Sequence, residues 1–371
     1  MYLSKIELKN FRNYKNLKIK LDSHMNIFIG NNAQGKTNVL ESIYVLALTK
    51  SHRYGVENNL IHKDYESCFI KGSIKDKKQI KDLEIHFNKQ KKKFMINKKE
   101  IHKVSDYISN MKIIMFCPDD LDIIKGSPQI RRNLMNIQIS QLFDSYVQYL
   151  NEYNKILKSR NEYLKVMAIN NYTDYRYLEI LDQKLCDRAI KIYQFRKKYL
   201  DFINIRIGTI YERITSIKGL NIVYENNIDL TDFSDEEIRK QFNKRLSNNI
   251  KREIMQGTTL YGPHRDDFYF YLGENNMRLY GSQGQQRMAI VAFKLAEIEL
   301  FKEILETSPI LLLDDIFSEL DINTRKKLIQ FIPEDVQVVI TTTDLKNIQK
   351  KIVSKAKIFN VDNGKITEKV E

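Results

Sequence analysis

The chain of 371 residues contains no apolar run close to the roughly 20 residues that a membrane helix needs, which argues against a helical membrane span. Its opening, MYLSKIELKN, places a polar residue at every second or third position, unlike a signal peptide; a soluble, cytoplasmic protein is expected. Only three cysteines occur, Cys68, Cys117 and Cys186, far apart and without CxxC or Cys/His spacing. That excludes a zinc site or disulfide framework by pattern and fits free thiols in a reducing compartment. Glycine (13) and proline (5) are scarce and tryptophan is absent, in a chain rich in Lys, Asn, Ile and Tyr; an AT-rich genome accounts for such a bias. No internal repeat or low-complexity tract is present.

Acidic residues are also in deficit, 47 Asp and Glu against 61 Lys and Arg, for a formal net charge of +14. Such a chain is attracted to polyanions, nucleic acid first and an anionic membrane surface second. The 42% of hydrophobic residues is enough for a substantial core, and the length suits one large domain with an insertion, or two domains.

LSKIELKNF and NLKIKL alternate apolar and polar residues as half-buried strands do, and MNIFIG reads as a short buried strand. From Lys36 to Leu48, Val39, Ile43, Leu46 and Ala47 recur at helical spacing. Residues 67–103 alternate short strand patterns with lysine, twelve lysines to four acids between Lys71 and Lys103. Two readings stand side by side there: a sheet edge protected by lysines, or a track for phosphates. From Gln129 the period becomes helical. Leu142, Tyr149, Ile156 and Tyr163, with Tyr146 and Tyr153 between, form a seam that Arg160 breaks; Leu178, Leu181, Leu185, Arg188, Ile192, Phe195, Tyr199, Phe202 and Arg206 form a second. The short link AINNYTDYR predicts that the two helices are antiparallel, with their tyrosines in the seam. After residue 250 strands and turns return, then a long helix to about Leu305, the strand PILLLDD, a helix near Thr324–Phe331 and the strand VQVVITTTD.

GNNAQGKT, Gly30 to Thr37, fits GxxxxGK[ST] between a buried strand and a helix. Its glycines let the backbone N–H groups of Asn31, Asn32, Ala33, Gln34 and Gly35 turn toward phosphate oxygens, and the helix N-terminus through Asn38 adds positive dipole. Lys36 reaches the β- and γ-phosphates and the Thr37 hydroxyl ligates Mg²⁺ in such a cradle. ILLLDDIFSELD supplies the metal's second partner, Asp314, at the C-terminal end of a buried strand, followed by Asp315, which can orient or deprotonate an attacking water. In GSQGQQR, Ser282 is placed to cap a helix starting near Gln285, with Gly284 allowing close approach, so that this helix end could hold a phosphate between two subunits.

The order strand–FRNY–strand–GxxxxGKT, then a distant SxGQ helix, LLLDD, SELD and TTTD, resembles the ABC-type ATPase head of the SMC kind. KNFRNY, GNNAQGKTNVLESIY, KSHR, FCPDDLDIIKGSPQIRR, YGPHRDD, GSQGQQR, LLLDDIFSELD and ITTTD together are similar to the bacterial RecF family, over nearly the whole chain. The resemblance implies an α/β fold: a P-loop ATPase head built from residues 1–115 and 255–371, split by an inserted helical arm over 116–254. It also implies ATP and Mg²⁺ as ligands and an ATP-dependent homodimer. In that dimer Ser282, Gly284 and Gln285 clasp the γ-phosphate in trans, with Ser318–Asp321 communicating across the interface. Binding to DNA at single-strand/double-strand junctions, work with RecO and RecR in loading RecA, and no membrane partner are further implications.

Most ABC ATPases carry Glu at the position of Asp315 and His near Thr343; this chain lacks both, so weak, slow hydrolysis is expected. Asn136 stands where Asp is expected in the family, and no glutamine is assignable to a Gln-loop. His264-Arg265-Asp266 mimics a kinase triplet, but Tyr271 occupies the place of the required Asn, and a structural role in a turn is expected. A transport ATPase subunit predicts LSGGQ and a His switch, and a chromosome-maintenance ATPase predicts a long coiled coil. Neither is present. Arg131, Arg132, Lys191, Arg196, Lys197 and Lys198 are candidate phosphate contacts on the arm.

Overall fold

A computed structural model describes residues 1–53, 57–76, 79–170, 174–320, 322–348 and 353–369. The chain divides into two compact units: Met1–Leu121 with Arg213–Ser216 and Ile290–Glu371, and Asp122–Glu212 with Ile217–Ala289. No helix among the described residues is long and apolar enough to cross a membrane.

The first unit holds two six-stranded sheets. In one, the order is Tyr14–Lys20, Tyr2–Phe11, Ser67–Asp76, Gln79–Asn88, Lys92–Ile96, Lys99–Ile101, antiparallel throughout. In Tyr2–Phe11 alternation buries Ile6 and Leu8, and an irregularity in register between Leu3 and Lys5 lets Leu3, three residues before Ile6, join them in the core. The helix Lys36–Leu48 packs tightly against this sheet. A Cβ at Gly72 would come within 2.4 Å of Leu46, so glycine permits the approach. Nearly the whole circumference of this helix is buried, which is why its sequence is apolar beyond one stripe.

In the other sheet the order is Lys365–Glu368, Lys357–Asp362, Met25–Ile29, Val338–Thr342, Ile310–Asp314, Ile113–Phe116. The last five are mutually parallel. Continuous apolar runs suit strands covered on both faces, and Ile310, Leu311, Leu312 and Leu313 are fully buried. Register decides the function of this sheet. Asp314 lies beside Thr341, Thr341 beside Phe28, and Thr342 beside Ile29. The C-terminal ends of three strands far apart in sequence therefore finish level with one another.

The second unit is mainly helical: Pro128–Leu142, Asp144–Asn170, Tyr175–Thr215 and Asp235–Gln256. Tyr163 packs on Tyr177 at 4.8 Å, Arg160 pairs with Asp182, and Glu152 with Arg188. Partner numbers rise on one helix as they fall on the other, so the two long helices are antiparallel. Residues 171–173, in the link between them, lie outside the described residues. Arg160 does not leave the seam. It is fully buried, its charge met by Asp182 at 2.5 Å and Glu253 at 2.7 Å, and Leu164 and Met167 continue the apolar stripe beyond it. Tyr146, Tyr153, Tyr193, Tyr199 and Tyr211 are buried, so they serve the core. The strand Leu220–Glu225 pairs with Asp267–Leu272, which carries residues 255–289 into this unit.

Candidate functional site

The loop between Met25–Ile29 and Lys36–Leu48 is clamped from several directions within the first unit. Gly35 has φ +115, a left-handed value open to glycine, and a Cβ on Gly30 would lie 2.3 Å from the Val361 carbonyl oxygen. Asn13 Nδ2 donates to the Gln34 carbonyl (3.0 Å), Tyr14 Oη to that of Gly35 (3.0 Å), and Asn38 Nδ2 to Asn13 Oδ1 (2.8 Å). The C-terminal hairpin adds the Asn363 N–H on Gln34 Oε1 (2.6 Å) and the Gly364 N–H on the Gln34 carbonyl (3.1 Å). Asn13 and Tyr14 stand in the FRNY stretch; the hairpin's contribution has no motif that could have announced it. Asn31, Asn32 and Ala33, between these anchors, are exposed.

Lys36 curls back on its own loop, donating to the carbonyls of Gly30 (2.7 Å) and Asn31 (2.8 Å). Burial pushes its pKa down, opposed by the charges of Asp315 and Asp314. Thr37 Oγ1 donates to Asp314 Oδ1 at 2.9 Å, so the early loop and the late strand end share one site. Thr341 completes the arrangement, with its hydroxyl on Asp314 Oδ1 at 2.7 Å and accepting the Asp315 N–H at 3.0 Å. Burial raises the Asp314 carboxyl, while hydrogen bonds from Thr341 and Thr37 and the charge of Arg53 pull it back. Asp315 sits at φ 48, and its Oδ1 is buried without a hydrogen-bond partner among the described residues. Thr343, at the place of the usual His, is exposed.

Behind the loop, Arg12 grips the fully buried Glu41 with two bonds, 2.9 and 2.6 Å, and Ser51 Oγ adds a third at 2.6 Å. Burial raises Glu41, but these donors outweigh it and hold its carboxyl below the ordinary range. Arg53 donates to Asn38 Oδ1 at 3.1 Å. KSHR therefore braces the first turns of the helix after the loop.

These residues fit a magnesium nucleotide. Among the described residues no group of three or more His, Cys, Asp or Glu is placed to hold a metal ion. One hydroxyl, Thr37, and one carboxylate, Asp314, is the donor set that Mg²⁺ accepts when phosphate oxygens and waters fill the rest. The unpartnered oxygen of Asp315 is a further acceptor beside them.

In the second unit Ser282 and Gln285 cap the helix Gln283–Leu305 reciprocally: the Ser282 N–H donates to Gln285 Oε1 (2.9 Å) and the Gln285 N–H to Ser282 Oγ (3.2 Å). Ser282 and Gly284 are exposed, and a Cβ on Gly284 would meet nothing within 4 Å. No contact with the described residues therefore calls for glycine there. Of Ser318–Asp321, Asp321 lies outside the described residues.

Two of the triplet His264-Arg265-Asp266, His264 and Asp266, are held in internal hydrogen bonds, while Arg265 is exposed. His264 Nε2 donates to the Thr259 carbonyl (3.1 Å), which leaves Nδ1 to accept from Tyr153 Oη (2.7 Å). Burial pushes His264 down to about 4. Asp266 accepts from Tyr224 Oη (2.5 Å) and faces Arg196 at 3.5 Å; burial lifts it to about 6 against that charge. Asn136, where an acid was expected, accepts from Tyr146 Oη (2.6 Å) and Arg196 (3.1 Å).

The expected arm contacts need correction. Arg131 is fully buried, forked onto Asp267 at 2.6 and 2.7 Å, and Arg196 is 1% exposed. Arg132 donates to the Asp266 carbonyl, Lys191 pairs with Asp235 and Lys197 with Asp201. Of the six only Lys198 is exposed, its ammonium over the Phe143 ring. The lysine track over residues 71–103 is likewise partly neutralised. Lys71 serves Glu84 and Asp82, Lys89 serves Glu66, and Lys92 reaches the Thr49 carbonyl.

Residues 2–367 match the family model of the RecF/RecN/SMC N-terminal domain. A DNA replication and repair protein RecF of Ligilactobacillus salivarius is 39% identical over 370 residues, 99% of this chain and 98% of that protein. One of Bacillus cereus is 39% identical over 368 residues, with the same coverage. Solved structures of the recombination mediator protein RecF in the RecFOR pathway, with ATP and with ATPrS, are 29% and 30% identical. Each has a TM-score of 0.92 and matches 100% of this chain and 98% of its own. An Smc head domain, 15% identical with a TM-score of 0.56, shares the fold.

Proposed function

The chain belongs to the RecF family, and from that premise we propose that it is an ATP-controlled DNA-binding clamp of replication and repair. The observation that carries this reading is the bond from Thr37 to Asp314, with Thr341 behind it: cradle and acidic strand end form one pocket. The loop Gly30–Thr37 holds the nucleotide phosphates. A γ-phosphate oxygen is a stronger acceptor for an ammonium than an amide carbonyl, so nucleotide draws Lys36 off Gly30 and Asn31. Thr37 and Asp314 hold Mg²⁺, which when bound neutralises charge on the phosphate oxygens.

Asp315 is the group that orients the attacking water and takes its proton as ATP is cleaved to ADP and phosphate. With Asp in place of Glu and the exposed Thr343 in place of His, turnover is slow and times release of the clamp. Ser282, Gly284 and Gln285 of a second copy close the site over the γ-phosphate. The exposure of Ser282 and Gly284, and the open space at Gly284, support this role. DNA is the polyanion that the net charge of +14 favours. Single-strand/double-strand junctions are its target, and RecO and RecR its partners in loading RecA.

The test is affinity for a gapped duplex, measured with and without ATP and Mg²⁺, for the wild type and Lys36→Ala. ATP is expected to tighten binding in the wild type alone. Equal affinity in all four conditions contradicts the reading.

A further inference from the structure

The outer face of the antiparallel sheet carries a cross-strand row of a different kind from the lysine pairs around it. Lys9 lies beside Phe69, Phe69 beside His86, and His86 beside Lys93, across four successive strands. Equal spacing along one face of a pleated sheet brings such residues into contact. The Phe69 and His86 rings meet with centroids 4.7 Å apart and planes at 53°, an open aromatic corner in the floor of a groove of about 250 Å³. No carboxylate among the described residues lines this groove.

Its rim is positive and fixed in place. Asn88 Oδ1 accepts the N–H groups of Gln90 (3.0 Å) and Lys91 (2.6 Å), which sets the turn that presents Lys91. The nearby acids are already matched: Glu66 by Lys89, Glu84 by Lys71, with its other oxygen 3.6 Å from His86 Nε2, and Glu100 by Lys93 at 4.0 Å. Lys9 and Lys91 have no carboxylate partner among the described residues. Aromatic faces between unpaired cations are the elements of a single-stranded nucleic-acid site: a base stacks on the ring and the neighbouring phosphates meet the ammonium groups. Duplex DNA cannot use such a corner, because its base faces are covered by their neighbours.

We propose that this groove binds single-stranded nucleic acid, with one base stacked in the Phe69–His86 corner and flanking phosphates on Lys9, Lys91 and Lys93. The proposal rests on the DNA-binding function above and assigns its single-strand contact to the sheet face of the first unit. His86, through Nδ1, since Nε2 faces Glu84 at 3.6 Å, adds a hydrogen-bonding group at the edge of the stacked base.

The experiment is fluorescence anisotropy of the full chain with a labelled oligo(dT), an abasic oligomer of the same length, and a blunt hairpin duplex. Phe69→Leu keeps the apolar volume and removes the π-face. It is expected to weaken oligo(dT) binding by about 5- to 150-fold, since stacking on an aromatic contributes about 1–3 kcal/mol per base. Hairpin binding stays unchanged, and the abasic oligomer binds wild type and variant equally weakly. Lys9→Gln with Lys91→Gln lowers the log–log salt slope for oligo(dT) by about 1.4, at about 0.7 per phosphate contact.

If Phe69→Leu does not fold, His86→Gln at an exposed position carries the same comparison. Equal wild-type binding of oligo(dT) and the abasic oligomer, or oligo(dT) binding that ignores these variants, overturns the proposal. So does capture of an acidic, aromatic peptide in the groove with no binding of oligo(dT). Should ATP still tighten binding to a gapped duplex, the platform alone falls; should no DNA bind under any condition, the function falls with it.

Discussion

Thr341→Val tests the geometry at the strand ends directly. Valine has nearly the shape of threonine, and Thr341 is fully buried, so packing is preserved and only hydrogen bonds change. Two strong ones are lost, the 2.7 Å bond to the Asp314 carboxylate and the 3.0 Å bond from the Asp315 N–H, together with a long 3.5 Å contact to the Leu313 carbonyl. A bond to a charged acceptor is worth about 1.5–3 kcal/mol, and a donor left without a partner costs about 1 kcal/mol at the low end, suited to a half-buried group. The sum, about 2.5–4 kcal/mol, is expected in urea denaturation with an unchanged m-value. The sharper readout is nucleotide binding with and without Mg²⁺. Thr341 touches the acidic residues and not the phosphate loop. The tightening produced by Mg²⁺ should therefore shrink by about tenfold or more, the equivalent of about 1.4 kcal/mol, while affinity in EDTA is unchanged. Equal losses with and without Mg²⁺, or a stability change under about 1 kcal/mol, would refute the reasoning.

Arg160→Met strands Asp182 and Glu253 in the arm and should cost about 3–5 kcal/mol by chemical denaturation; a loss within ~0.5 kcal/mol would show that Arg160 does not carry the seam. Asp315→Asn should cut ATP turnover by about 10²-fold or more while a fluorescent ATP analogue still binds, whereas unchanged turnover would remove Asp315 from the chemistry. His264 has a depressed folded pKa, about 4 against the ordinary 6.5, so it contributes stability fully above pH 6.5 and loses it as pH falls through about 4. The raised carboxyl of Asp266 works in the opposite sense and is common to both proteins. Thermal unfolding between pH 7 and 4 should thus fall more steeply for the wild type than for His264→Gln; parallel curves would contradict the buried neutral imidazole.

Local patterns were legible where they are self-contained. Gly30–Thr37, the apolar run before Asp314 and the Ser282 cap each announce their chemistry within a dozen residues. Thr341 does not, because its role exists only once parallel register sets it between Phe28 and Asp314. The grip of Asn363 and Gly364 on Gln34 likewise depends on a strand pairing from the far end of the chain. The buried arginines mislead for a related reason. Arg131, Arg160 and Arg196 read as surface charge or as a break in a seam, since the acids and carbonyls that neutralise them, such as Asp267 for Arg131, come from distant segments. Lysine counts over 71–103 leave the two readings of that stretch side by side for a similar reason: charge composition does not say which cations already have carboxylate partners.

Sedimentation velocity of the full chain, with and without ATP and Mg²⁺, bears most directly on the claim that the pocket of Lys36, Thr37 and Asp314 is closed by a second copy. The account predicts a shift from monomer to dimer with ATP and Mg²⁺, absent in Lys36→Ala and in Ser282→Arg, whose folding the exposed position of Ser282 should spare. A wild type that sediments as a monomer at saturating nucleotide, or a dimer indifferent to both substitutions, would contradict it.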